Sequence, residues 1–182
     1  MKSDFLLIYI LSFIGLFATC QKNPANVNEQ PCSIQDESVA ISPKLLMLAD
    51  AEKIMGEPSA LTCNMFIKKR DTLEYKCDYT ANSKDAVTGK TGKLYFMYEI
   101  YTTVDAASNA YAAIYQSNSG HEGVEVVPGL GDEAYYHTDQ TGFYFFLVRK
   151  NEKMFRLKLN KITSHSSEVE FKEAAKRIVA RL

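Results

Sequence analysis

Hydrophobic positions along the chain change their spacing several times, and each change marks a predicted element. A spacing of three and four residues predicts three helices, running from Ser42 to Gly56, from near Thr103 to about Gln116, and from Ser167 onward. Alternating or wholly apolar β-prone runs predict seven strands, at residues 61–67, 73–79, 93–101, 123–127, 133–138, 143–149 and 153–160. The order α-β-β-β-α-β-β-β-β-α therefore predicts an α+β fold, an antiparallel sheet of about seven strands with three helices packed on it.

Two cysteines flank the first predicted hairpin. Pairing residues whose numbers sum to 140 places all the apolar residues on one face and sets Cys63 opposite Cys77. Directly opposed side chains have Cβ atoms about 4.5–5.5 Å apart, which is close enough for a disulfide after a small adjustment. The sequence thus predicts a Cys63–Cys77 bond. The alternative is two buried thiols, and Cys32 is then either unpaired or a rival partner.

The amino terminus has the order of a secretory signal. Lys2 precedes an apolar run at residues 5–17, and the small residues Ala18 and Thr19 follow it. A membrane-spanning helix needs about 20 apolar residues, so this run is shorter than a span. We expect the segment to be cleaved from the exported protein.

The end of this segment, Phe17-Ala18-Thr19-Cys20, resembles the lipobox of bacterial lipoproteins, although Phe17 replaces the usual Leu and Thr19 replaces Gly or Ala. The resemblance implies that Cys20 is acylated, with palmitate among its chains, and becomes the first residue of the mature protein. The alternative is ordinary secretion or an uncleaved anchor. The resemblance also implies a lipid anchor in the bacterial cell envelope, at the outer membrane, with the protein facing the periplasm or the cell exterior. Residues 1–19 are then the signal peptide and residues 20–40, which are polar and lack a periodic apolar face, are a flexible tether. Residues 41–182 form a single domain.

A second motif, Val127-Pro128-Gly129-Leu130-Gly131-Asp132-Glu133-Ala134-Tyr135-Tyr136, resembles a loop and strand that recur in lipoprotein domains of the α/β sandwich type. The extrinsic P-type subunits of photosystems and the nuclear transport factor Mog share this domain type. The resemblance extends over about the last 140 residues only as an order of elements. It implies a fold and no catalytic residues.

Composition excludes one class of partner. The 182 residues carry a formal net charge of −1 and no basic tract, so the chain has no electrostatic footprint for nucleic acid. No Cys-x-x-Cys pair and no histidine at ligand spacing occur, so the sequence predicts neither a metal site nor a cofactor.

The densest group of titratable residues is Glu133, His137 and Asp139. Glu133 and His137 would point to the same face of one strand, where such groups can serve acid–base chemistry. The alternative is a polar strand edge after a glycine turn. An envelope enzyme that uses these three residues is therefore the alternative function.

The principal hypothesis is a non-enzymatic binding or interaction module on a lipid tether. Tyr95, Met97 and Tyr101 share one face of a strand that is apolar on both sides. If helices cover only the other face, these residues form a candidate surface for an envelope protein or a small ligand, because exposed apolar patches often mark binding sites. The alternative is a sheet that is covered on both faces.

Overall fold

A computed structural model describes residues 44–182. Its elements are α1 (Leu48–Met55), β1 (Ser59–Lys68), β2 (Thr72–Ala81), β3 (Lys93–Tyr101), α2 (Val104–Asn118), β4 (Val124–Val126), β5 (Glu133–Thr138), β6 (Phe143–Lys150), β7 (Lys153–Asn160) and α3 (Glu168–Arg181). The type and order of these elements confirm the predicted α+β fold.

The seven strands of this region form one sheet in the spatial order β1-β2-β3-β7-β6-β5-β4, and every neighbouring pair is antiparallel. The chain leaves β3 through α2 and reaches the far edge of the sheet at β4. From there a meander returns strand by strand until β7 pairs with β3. β1 and β4 are therefore the two edges.

Helices cover both faces of the sheet, but unequally. α1 and α3 lie on the α1/α3 face, where Leu94, Phe155 and Phe171 are completely buried in the main core. α2 lies on the opposite α2 face, where a smaller cluster joins Tyr111 to the sheet residues Tyr135, Leu147 and Met154. α2 packs on β3, β7 and β6, the three central strands, so its coverage is concentrated on the middle of that face.

The ends of the helices follow local hydrogen bonding. The Ser167 hydroxyl accepts a hydrogen bond from the Glu170 amide at 3.2 Å, which confirms the predicted cap of α3. The cap of α2 is Thr103, whose hydroxyl accepts from the Ala106 amide at 3.1 Å. This agrees with the helix start predicted near Thr103.

The predicted start of α1 near Ser42 is wrong, because the helix begins at Leu48. Ser42 lies outside the described residues. The carbonyls of the preceding residues serve tertiary contacts instead of a helix: the Tyr79 hydroxyl donates to the Leu46 carbonyl at 3.0 Å, and Arg181 donates to the Leu45 carbonyl at 3.1 Å. The positive φ of Gly56 ends the helix as predicted.

The predicted register of the first hairpin is also wrong. An irregularity between Leu61 and Cys63 shifts the pairing by one residue, so that Cys63 lies opposite Asp78 and Cys77 lies opposite Asn64. A shift of one residue sends the two cysteines to opposite faces of the sheet. Cys77 is a free thiol buried in the main core, so the predicted Cys63–Cys77 disulfide is wrong. Burial raises the pKa of the Cys77 thiol to about 12.

Candidate functional site

A groove lies on the α1/α3 face between α3 and the edge of the sheet formed by β4 and β5. It consists of two adjoining cavities, of about 300 Å³ and about 430 Å³. Both cavities are lined by Glu125, Tyr136 and Lys172. Volumes of about 300–1,000 Å³ are typical of sites for small molecules. We refer to the two cavities together as the α3 groove.

The floor of the α3 groove is aromatic and rigidly packed. Tyr136 and Phe146, from adjacent strands, are each only 2% exposed. Phe171 of α3 stacks on Phe146, with ring centroids 5.7 Å apart. The smaller cavity is completed by the loop at residues 127–130, whereas Thr138 and Gln140 line the other. The groove thus has an apolar end and a polar end.

The Tyr136 hydroxyl is the most unusual group in the groove. Its oxygen is buried and makes no hydrogen bond of good geometry among residues 44–182, although the Glu168 carboxylate and the Thr138 side chain lie close enough to interact with it. Burial raises the pKa of Tyr136 well above its usual value, and the neighbouring Glu168 carboxylate adds to that rise. The hydroxyl is therefore protonated at neutral pH and can donate a hydrogen bond. Buried polar groups are normally paired, so this one is available to a molecule in the groove.

The charges along the groove balance. The Lys172 ammonium lies 2.7 Å from the Glu168 carboxylate and 4.4 Å from the centre of the Tyr136 ring. The hydrogen bond from Lys172 lowers the pKa of Glu168, so the Glu168 carboxylate stays charged at pH 7. The ionisable lining residues are two acids and two bases, namely Glu125, Glu168, Lys172 and Lys176. The site therefore has no formal net charge.

A short glycine-containing loop shapes the apolar end. Val127 donates its amide to the Ala134 carbonyl at 3.0 Å, which ties the loop to β5. Gly131 has a φ of +71°, and a Cβ at this position would lie 2.5 Å from the Arg149 carbonyl oxygen. Only glycine fits there without strain. The glycine-containing motif is visible in the sequence. The sequence pattern does not show that a cavity lies between this loop and α3.

The structure gives Glu133, His137 and Asp139 separate surroundings. Glu133 makes an ion pair with Arg149 at 2.5 Å, and the Asp139 carboxylate accepts three backbone amides of the following turn. His137 packs edge-on against Phe143, and burial lowers the pKa of its imidazole. Glu133 and His137 lie four residues apart on β5, a separation of about 13 Å. Within the described part of the chain, no three His, Cys, Asp or Glu residues are grouped so as to hold a metal ion.

The predicted aromatic surface lies on the α2 face. Tyr95, Met97 and Tyr101 are all partly buried. Tyr101 packs against the smaller cluster beneath α2, whereas Tyr95 and Met97 belong to neither hydrophobic cluster. The Lys93 ammonium lies 4.8 Å from the centre of the Tyr95 ring. The three residues therefore do not form one open surface.

The predicted lipidation site, Cys20, and the fourth cysteine, Cys32, lie outside the described residues. The described residues contain no helix with the length and apolar character needed to cross a membrane.

Comparison with known proteins gives no assignment. No model of a known protein family matches the chain, and no curated protein matches it.

Proposed function

We propose that this protein is a lipid-anchored module of the bacterial cell envelope that binds a small, neutral, amphipathic molecule in the α3 groove. Acylated Cys20 attaches it to a membrane, which we take to be the outer membrane, and the described domain faces the periplasm or the exterior. The observation that carries the binding proposal is the buried Tyr136 hydroxyl, which makes no hydrogen bond of good geometry within residues 44–182, in an otherwise apolar floor. We propose no enzymatic activity.

The anchor is supported by the sequence. An apolar run too short for a span ends at Phe17-Ala18-Thr19-Cys20, which resembles a lipobox. A single acyl chain binds a membrane only marginally, whereas two or more on one residue give a stable anchor. In bacterial lipoproteins the modified cysteine carries more than one chain.

The class of ligand is supported by the lining of the groove. Pro128, Leu130 and Phe146 offer apolar contacts at one end, and Thr138 and Gln140 offer hydrogen bonds at the other. The balanced charges favour a neutral molecule, because a charged one would lose hydration without gaining a net opposite charge. An alkyl chain joined to a hydroxyl-rich head has this pattern.

The binding proposal is tested with n-octyl β-D-glucoside below its critical micelle concentration. We expect chemical-shift changes in a ¹H–¹⁵N spectrum of the mature chain to concentrate on Leu130, Tyr136, Thr138 and Lys172. Glucose alone should bind much more weakly, because it lacks the alkyl chain. Saturable changes spread over the whole surface, or none at all, would contradict the proposal.

Two matched variants separate the groove from general effects on the fold. Tyr136→Phe removes the hydroxyl in the groove and should weaken binding about fivefold, the equivalent of a hydrogen bond worth about 1 kcal/mol. Tyr135→Phe removes a hydroxyl that is also buried and unpaired among the described residues, but on the α2 face. It should leave the affinity unchanged. Equal affinity loss in both variants would count against the groove.

The anchor is tested separately, by labelling cells with a radioactive fatty acid. The wild-type chain should take up the label and fractionate with membranes. The Cys20→Ser variant should lose the label. If the variant is still labelled, or if the mature wild-type protein retains residues 1–19, the anchor proposal fails even where the groove binds its probe.

A further inference from the structure

Two of the three histidines of the chain lie side by side at one end of the sheet. His137 is on β5, and His121 is in the turn between α2 and β4. The centres of their rings are 5.9 Å apart, and the ring planes are tilted by 38°. The His121 side chain is exposed, whereas His137 is half-buried. Sixteen residues separate the two in the sequence, so the fold brings them together.

The backbone holds the turn that carries His121 against β5. The Thr138 amide donates to the Gly123 carbonyl at 3.2 Å. Val124, the next residue, pairs with His137 in the sheet. The backbone of His121 is therefore kept near His137, while its exposed ring is free to rotate.

His137 has the surroundings of an oriented metal ligand. Its ring packs edge-on against Phe143, with centroids 4.9 Å apart. Burial lowers the pKa of the imidazole, and an interaction with the Glu122 backbone favours a proton on one ring nitrogen. A neutral imidazole with one N–H keeps a lone pair on its other nitrogen. Histidines that bind metals commonly donate their second N–H to a backbone carbonyl or a carboxylate, which fixes the tautomer.

We propose that His121 and His137 together bind one divalent transition-metal ion of the class that prefers imidazole, with Zn²⁺ as the probe for this class. Imidazole nitrogen is a good ligand for Zn²⁺, Cu²⁺ and Ni²⁺. Metal–nitrogen distances are about 2.1 Å, so two imidazoles on one tetrahedral ion have ring centres about 5 Å apart. The observed 5.9 Å therefore needs only a small rotation of the exposed His121 ring.

The neighbouring charges favour a transition metal over a hard cation. Asp139 is the nearby carboxylate, but three backbone amides of the following turn already donate to it. The Lys158 ammonium lies 5.4 Å from the centre of the Phe143 ring, and its charge opposes a weakly held cation. Ca²⁺ and Mg²⁺ bind through several oxygen ligands, whereas the two side chains brought together here are imidazoles. We therefore expect the site to select against both of these ions.

Two protein ligands leave the remaining coordination positions to water or to a ligand from solution. Among the described residues, no group of three His, Cys, Asp or Glu side chains closes the site. Structural zinc sites normally have four protein ligands, so this ion would exchange with the solution. The pair lies on the α2 face, because His137 points away from Tyr136. The metal proposal is thus independent of ligand binding in the α3 groove.

The test is a zinc titration of the mature chain carrying Cys20→Ser, followed through the ring nitrogens of the histidines in long-range ¹H–¹⁵N spectra. We expect the signals of His121 and His137 to shift together with one dissociation constant, while those of His165 stay in place. Equal shifts of all three rings, a shift of only one ring of the pair, or no shift would overturn the site. The same shifts with Ca²⁺ would overturn the assignment to a transition metal.

Single replacements give a second readout. His121→Ala removes an exposed ring and should weaken zinc binding at least about tenfold, because loss of a mere outer partner of a metal ligand already has an effect of this size. The matched variant His165→Ala removes a side chain that is 57% exposed and lies beside Asp85, and it should leave the affinity unchanged. Wild-type affinity in His121→Ala would overturn the site.

The pH dependence of binding gives a third readout. A fall from about pH 7 to about pH 5 should release the ion, because both imidazoles must be neutral to bind it. Zinc that stays bound at about pH 5 would show that other groups hold it, and would overturn the histidine pair as its site.

Discussion

The loss of one hydroxyl should have opposite effects on stability at two buried tyrosines. Tyr136 and Tyr79 are 2% and 5% exposed, and both lie on the α1/α3 face. The Tyr79 hydroxyl donates to the Leu46 carbonyl at 3.0 Å, whereas the Tyr136 hydroxyl makes no hydrogen bond of good geometry among the described residues. Replacement of each by Phe removes the same atom from two sites that differ in hydrogen bonding.

The magnitude follows from the cost of an unpaired polar group. A buried hydroxyl without a partner costs about 1–3 kcal/mol, so Tyr136→Phe should raise the free energy of unfolding by about 1–2 kcal/mol. Tyr79→Phe removes a hydrogen bond and leaves the Leu46 carbonyl unpaired. It should lower the free energy of unfolding by about 1–2 kcal/mol.

Urea unfolding of the mature chain, with Cys20→Ser in every sample to exclude lipid, measures both changes. The slope of free energy against urea should stay the same, so that the shift in midpoint reports stability. If Tyr136→Phe destabilises the domain as Tyr79→Phe does, the Tyr136 hydroxyl has a partner in the free protein. The main support for a ligand in the α3 groove would then be lost.

Two further predictions concern the rest of the molecule. Phe171→Ala should lower the free energy of unfolding by about 3–5 kcal/mol, because the Phe171 side chain is completely buried. Val169 is 71% exposed, so Val169→Ala should change the free energy of unfolding by less than about 0.5 kcal/mol. Similar values for the two variants in urea unfolding would contradict the packing of α3. The Asp85 carboxylate accepts hydrogen bonds from the Ser164 amide and from other groups, which hold the pKa of Asp85 below its usual range. The stabilising effect of the ionised carboxylate is therefore present above about pH 4 and is lost as the pH falls. The thermal midpoints of wild type and Asp85→Asn should therefore converge between pH 5 and pH 2, and a constant difference would refute the role of the charge.

Periodicity was sufficient for the order of elements because each strand is a β-prone run, either alternating or wholly apolar, and each helix has a cap or a glycine stop. It was insufficient for the register of the first hairpin. The irregularity between Leu61 and Cys63 moves one residue out of the pairing without changing the alternation that follows it. The start of α1 also depends on tertiary contacts, since Tyr79 and Arg181 bind the carbonyls that precede it.

The site depends even more on tertiary structure. In the sequence, Tyr136 is one strand residue among many. Only the folded structure shows that its buried hydroxyl makes no hydrogen bond of good geometry with its described neighbours. Glu133 and Asp139 look like candidates for chemistry in the sequence, but an arginine 16 residues away and the backbone of a turn engage them. Sequence patterns give the type of side chain, whereas its partners come from strands that pair over long separations.

The most direct test of ligand binding in the α3 groove is the measurement of intermolecular nuclear Overhauser effects from the octyl chain of n-octyl β-D-glucoside. We predict contacts with the Leu130 methyl groups and the Phe146 ring, which line the apolar end of the groove. Contacts confined to Tyr95 and Met97 would place the ligand on the α2 face and contradict the proposed site.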